Sequence, residues 1–230
     1  LQEIKSPIFY AVQKNINIQT GQPTILDFDM QRISQRINIV FNIRTEGNIK
    51  REDLAAPIIE LSGACGRFNI ADACLDTTRL YRMAHQVQPD EFTQTGEGTY
   101  RCVVHFHTLG VIPSAAKGHL NGPGILQVAL QVSTPQLDSS GTPVVDEEGN
   151  PVKNSRYIYG AINPYDELTA AQLIEVRDGK IYLRYSKEDV NIEITTPLVI
   201  KADQIVPNDT GMGWQPHDPT NPDDDIIIEI

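Results

Sequence analysis

Two histidines, His105 and His107, sit two residues apart in the alternating run TYRCVVHFHTLG. On an extended strand side chains i and i+2 share a face, so both imidazoles project the same way and could share a metal ion. A metal centre needs further ligands. His85 and His119 are the candidates, and nothing in the spacing places either. Two histidines on a solvated strand face are the simpler reading, so neither a metal nor a cofactor is expected. The three cysteines, Cys65, Cys74 and Cys102, are an odd number and no disulfide framework. They read as small buried hydrophobes, with a Cys65–Cys74 bridge as the open alternative.

Other sources of chemistry are weaker still. GACG (63–66) and GEG (96–98) neither follow a buried parallel strand nor open a helix, as a phosphate loop must. The acidic runs DEEGN (146–150) and PDDD (222–225) lack the ligand spacing of a calcium loop and read as solvated turns. There is no G-x-S-x-G elbow and no H-E-x-x-H helix. Aromatic residues make up 7% of the chain and the single tryptophan lies near its end. That leaves few flat platforms for a sugar, so a glycosidase or lectin is disfavoured. No catalytic residue is assigned, and the chain is not expected to be an enzyme.

Composition narrows the class further. With 230 residues and 40% apolar content the chain can bury a real core. The net charge of −11 repels phosphate backbones, which argues against nucleic acid and anionic lipid. No signal peptide is visible and no apolar run is long enough to cross a membrane. The first residue is Leu1 rather than Met, as expected where a leader has been removed by processing or by cloning.

The elements that would position these groups are strands. Strict alternation from Ile37 through Ile39, Phe41 and Ile43 predicts a half-buried antiparallel strand, with a short helical turn possible over Gln31–Arg36. Ile8–Ile18 alternates as well and predicts a strand ended by Gly21–Pro23, with a second opening at Ile25 and Leu26. Ile58–Leu61 predicts a strand entering a Gly-rich turn. Leu80, Met83, Ala84 and Val87 have helical spacing but fit a strand too. Residues 102–107, the run after Gly124, RYIYGAI, LIEV, KIYLRYS and VNIEITTPLVI supply the rest, with RDGK as a tight hairpin turn. The polar stretch 134–156, with turn signals DSSG and EEGNP, predicts a projecting arm. No internal repeat is evident. Nine to eleven strands with one or two short helices describe an all-β antiparallel sandwich. Residues 1–206 form its body, as one unit or two sub-sandwiches, and 207–230 an acidic, Pro-rich tail.

That tail ends in DDDIIIEI. On a strand Ile226, Ile228 and Ile230 share one face. Such a segment closes the edge of its own sheet, or it pairs with a strand of another molecule. Ile226, Ile228 and Ile230 are therefore the strand-exchange candidates.

Several stretches resemble the fimbrillin-like proteins of type V pili. TILDFDMQRISQRINIVFNI looks like their apolar-basic segment running into an alternating strand. IIELSGACGRFNI is similar to the L-S-G-x-x-G stretch that follows it, and GILQVALQVSTPQLDSSG and GWQPHDPTNPDDDIIIEI fit the later pattern. The resemblance implies a transthyretin-like β-sandwich exported to the cell surface and held at the outer membrane. Its role there would be that of a pilus shaft, tip or anchor subunit in cell adhesion, joined to other pilus subunits by donor strand exchange. Host or bacterial surface ligands are further partners it suggests. No active site transfers, because the family is structural. The alternative expectation is a surface module that grips glycan or peptide through its loops or the 134–156 arm.

Overall fold

The computed structural model describes residues 6–47, 49–184 and 189–217. Their strands are, in chain order, β1 (Phe9–Tyr10), β2 (Gln31–Arg32), β3 (Gln35–Glu46), β4 (Ile58–Cys65), β5 (Phe68–Asn69), β6 (Cys74–Leu75), β7 (Leu80–Gln86) and β8 (Phe92–Gly96). There follow β9 (Thr99–Thr108), β10 (Leu126–Pro135), β11 (Lys153–Ile162), a short helix α1 (Tyr165–Ala171), β12 (Ile174–Arg177), β13 (Lys180–Leu183), β14 (Asp189–Lys201), β15 (Gln204–Ile205) and β16 (Gln215–Pro216). Two five-stranded sheets, ordered β16-β11-β10-β4-β7 and β15-β14-β3-β9-β8, carry the architecture. The inward side chains of both belong to one apolar cluster. The chain is an all-β, sandwich-like protein.

The alternation predicted in β3 holds: Ile37, Ile39, Phe41 and Ile43 are fully buried, and Arg36 and Arg44 are exposed. Each such isoleucine contributes roughly 1.5–3 kcal/mol on burial. The same period packs Tyr100, Cys102, Val104 and Phe106 of β9 inward. Leu80–Gln86 is a strand, paired antiparallel with β4, which settles the helix-or-strand ambiguity. RDGK forms the expected hairpin: Val176 faces Ile181 across a turn whose central residues, Asp178 and Gly179, both have positive φ.

Other expectations are corrected. Over Ile8–Ile18 only Phe9–Tyr10 is a strand, and residues 11–30 form none. The run at Ile58 does not turn at its glycines but continues through Gly63 to Cys65. The central pairing of the second sheet, β14 with β3, is parallel, so that sheet is mixed. Its register slips between Ile194 and Leu198, around Pro197, which has no N–H to offer the ladder. Helix α1 buries Leu168 against the main cluster and ends at Gln172 in the left-handed conformation. Residues 207–217, grouped with the tail by composition, pack on the body: Trp214 is 1% exposed, lies 5.2 Å from the Phe41 ring and donates its Nε1–H to the Thr196 carbonyl.

The arm does contain a repeat. Asp138-x-x-Gly141-x-Pro143-Val144 recurs eight residues later as Asp146-x-x-Gly149-x-Pro151-Val152. In each copy the aspartate Oδ1 accepts two backbone N–H groups of its own turn: Ser140 and Thr142, then Glu148 and Asn150. The Ser140 hydroxyl holds the Asp138 carboxyl, and the Asn150 amide the Asp146 carboxyl, below the usual aspartate range. Backbone bonds from Val144 to Gln136, Val152 to Val144 and Gln136 to Val152, each 2.8 Å, close a ring at the arm's base. Asp146, the first acid of DEEGN, thus serves to build a turn.

Candidate functional site

Strand exchange requires an open strand edge. Along its whole length β11 pairs with β10, from Leu126 opposite Ile162 to Pro135 opposite Lys153. On its other side only Gly160 and Ala161 have a strand partner, in β16, and the His217 N–H extends that contact to the Tyr159 carbonyl at 2.9 Å. In antiparallel ladders successive residues direct their polar groups to opposite sides. The Val152 carbonyl accepts from Gln136 on the β10 side, and that of Tyr159 accepts on the β16 side. Lys153, Ser155 and Tyr157 therefore turn their backbone groups to the same side as Tyr159. Among the described residues no strand pairs with them there.

This margin borders a cleft of about 460 Å³ lined by Tyr157, Ile158, Tyr159, Gln204, Ile205 and Pro216, among others. Gly160 lets the second sheet approach: a Cβ there would lie 2.6 Å from Ile205 Cδ1. Arg156 reaches across the cleft, donating to the Asp203 carbonyl at 2.9 Å and pairing with its carboxylate. Tyr157 and Tyr159 stack with ring centroids 6.2 Å apart on the outer face. The chain leaves the described residues at His217, alongside this margin and antiparallel to β11. Ile226, Ile228 and Ile230 lie outside the described residues. Which strand stands at an edge was not legible in the sequence, since it depends on pairing that no local pattern encodes.

The histidines form a different arrangement from the one expected. His105 on β9 and His85 on β7 are joined by Glu91, which follows the crossover between the two sheets. His85 Nε2 lies 2.8 Å from Glu91 Oε2, and His105 Nε2 lies 3.7 Å from Oε1. On its far side His105 Nδ1 is 2.7 Å from Asn38 Oδ1, and Asn38 donates Nδ2–H to Asn191 Oδ1 at 2.8 Å. Asn38 thus assigns the proton of neutral His105 to Nδ1. His119 is placed elsewhere, its carbonyl accepting from Asn163 Nδ2 at 2.7 Å. Among the described residues no group of three His, Cys, Asp or Glu side chains is placed to hold a metal ion. The cluster works as a clasp between the sheets.

Its protonation follows from its surroundings. Burial lowers the His105 pKa, aided by Arg36 and opposed by Glu91, with His85 and His107 adding to the lowering. Burial alone would raise Glu91, but the Gln88 amide and His85 outweigh it and hold the carboxyl below its ordinary 4.5. A histidine with a lowered folded pKa takes up its proton more readily in the unfolded chain. Its contribution is therefore complete above pH 6.5 and is lost as pH falls toward the folded pKa. The Glu91 contribution is present above 4.5 and is lost as pH falls through the lowered value. Urea unfolding from pH 8 to 3 should show both losses. His105→Asn should flatten the upper one and Glu91→Gln the lower, and an unchanged profile in both would dismiss the clasp.

The cysteines are unbridged and buried. Burial, with Asp76 nearby, pushes Cys65 up to about 12, and burial raises Cys102 as well. Both are held as neutral thiols, in keeping with packing and not with nucleophilic chemistry.

These features define a class, an all-β sandwich-like chain with a sheet margin that no described strand pairs, and no more particular kinship. No family model matches the chain, and neither curated proteins nor solved structures yield a match.

Proposed function

We propose that the chain is a cell-surface fimbrial subunit, structural and without enzyme chemistry, that assembles by strand exchange. The observation that carries this reading is the margin of β11 that no described strand pairs, which begins where Gln215 and Pro216 leave off, shortly before the described residues end at His217. A strand laid on that margin would satisfy the backbone groups of Lys153, Ser155 and Tyr157. Alternate side chains of the donor would meet Ile158 and Ile205 at the sandwich rim. Pairing of this kind joins unlike surfaces of successive copies, so it propagates into a filament. The resemblance to type V fimbrillins, with export to the outer membrane and other pilus subunits as partners, agrees with this role.

Deleting Ile226–Ile230 tests it. The shortened protein should keep its circular dichroism spectrum and melting behaviour while losing the polymers that the full chain forms at high concentration. Outright unfolding would mean that the segment closes its own sheet, and polymers of undiminished length would remove it as the donor.

A further inference from the structure

The loop between β1 and β2, residues 11–30, is tied at its base. Tyr10 pairs with Gln31, the Ile33 N–H reaches the Ile8 carbonyl at 2.8 Å, and the Ile8 N–H reaches Ser34 Oγ at 3.0 Å. Above the base, the backbone bond from Gln22 to Gln19 closes a turn, and Lys14 Nζ anchors one leg to the Ala71 carbonyl at 2.7 Å. Nine of the fifteen exposed large apolar residues among those described fall between Ile8 and Met30, with Ile18 at 75% and Ile25 at 84%. A loop of this length without secondary structure is usually functional, and an apolar surface of this extent marks an interaction site.

Charge and sequence say what covers it. Between Glu3 and Asp27 there is no carboxylate, in a chain with 30 of them. Two copies at −11 repel each other, least at residues 11–26 of the loop, which carry no acid and precede Asp27 and Asp29. The leg is also its own complement. Laid antiparallel on a second copy about Asn17, Ile16 faces Ile18, Asn15 faces Gln19 and Lys14 faces Thr20, so no like charges meet. We propose that loop 11–30 is a self-association surface, on which Ile16–Asn17–Ile18 of one copy packs against the same residues of a second about a twofold axis. Such a contact is isologous and separate from the β11 margin. It would also supply the partner that the alternating sequence of this leg requires and the described residues do not provide.

Asn17→Cys in the full chain places a thiol at the proposed axis, while the three native cysteines are buried. Mild oxidation should trap a covalent dimer far faster than for Glu147→Cys, an exposed site on the arm. Ile18→Asp, at a position already open to water, should halve the mass found by sedimentation at concentrations where the unaltered chain is dimeric. Replacing residues 11–30 by Asn-Gly, which fits the Tyr10–Gln31 end of the ladder, should do the same. A chain that is monomeric throughout the series, a dimer that survives Ile18→Asp, or equal trapping at both thiols would overturn the proposal. A monomer that captures an unlike protein through this loop would overturn it too. The tail is intact in every variant, so loss of polymers on deleting Ile226–Ile230 has no bearing on the outcome.

Discussion

Trp214→Ala is expected to destabilise the protein by about 3–5 kcal/mol, the range for removing a large buried aromatic. At this chain length each kcal/mol lowers the melting temperature by roughly 2–4 °C, so a fall of about 6–20 °C should be seen by calorimetry. Three things are lost together. The ring leaves a cavity beside Phe41, the Thr196 carbonyl loses its indole donor, and the 208–214 turn loses its anchor. That turn is otherwise held by Asn208, whose N–H reaches the Trp214 carbonyl at 2.9 Å and whose Oδ1 accepts from Thr210. Because Trp214 directly precedes β16, its loss should also free Gln215–His217 from β11 and expose this stretch to limited proteolysis. Trp214→Phe separates the contributions, keeping most of the volume and losing the hydrogen bond. It should cost about 1–3 kcal/mol and leave β16 protected. An alanine variant with unchanged melting and unchanged proteolysis would mean that Trp214 anchors nothing.

What the sequence disclosed depended on whether a local pattern was sufficient. β3 was legible because Ile37 to Ile43 bury one face of a long strand, and that burial imposes period 2 directly. Ile8–Ile18 carries the same pattern, yet only its first residues find a partner; alternation makes a segment fit to pair and does not supply the pairing. The parallel match of β14 with β3 joins residues about 150 apart in sequence, beyond the reach of any window. Helix α1 was not legible because seven residues give too little periodicity, nor the eight-residue repeat of the arm, because two short copies sharing only their turn residues and a Pro-Val pair mark no period. The histidine face was half legible. The i, i+2 spacing placed His105 and His107 on one strand, but Glu91 and His85 come from the crossover and the opposite sheet. The open side of β11 shows only in the sheet order, where no described strand pairs with Lys153, Ser155 and Tyr157 on that side.

Gly63, near the end of β4, shows how much a single backbone position can carry. Gly63 has φ of +83° and sits where the β4–β7 register shifts between Leu61 and Ala64. A Cβ there would lie 2.6 Å from the Ile112 carbonyl oxygen and 2.7 Å from the Gly124 nitrogen, backbone atoms that cannot swing aside. Both neighbours are fixed by hydrogen bonds to this segment: the Ile112 N–H to the Gly63 carbonyl at 2.9 Å, and the Gly124 N–H to the Ser62 carbonyl at 3.1 Å. Gly63→Ala should therefore add a clash of about 1–3 kcal/mol to a left-handed backbone cost of roughly 1–2 kcal/mol. Gly141→Ala provides the comparison, since that glycine has a similar φ of +81° and nothing within 4 Å of its built Cβ. The surface variant should lose only the backbone share, and the difference between the two urea midpoints reads the clash alone. Equal losses would show that the loops carrying Ile112 and Gly124 yield freely, and that the bulge does not lock them to the sheet.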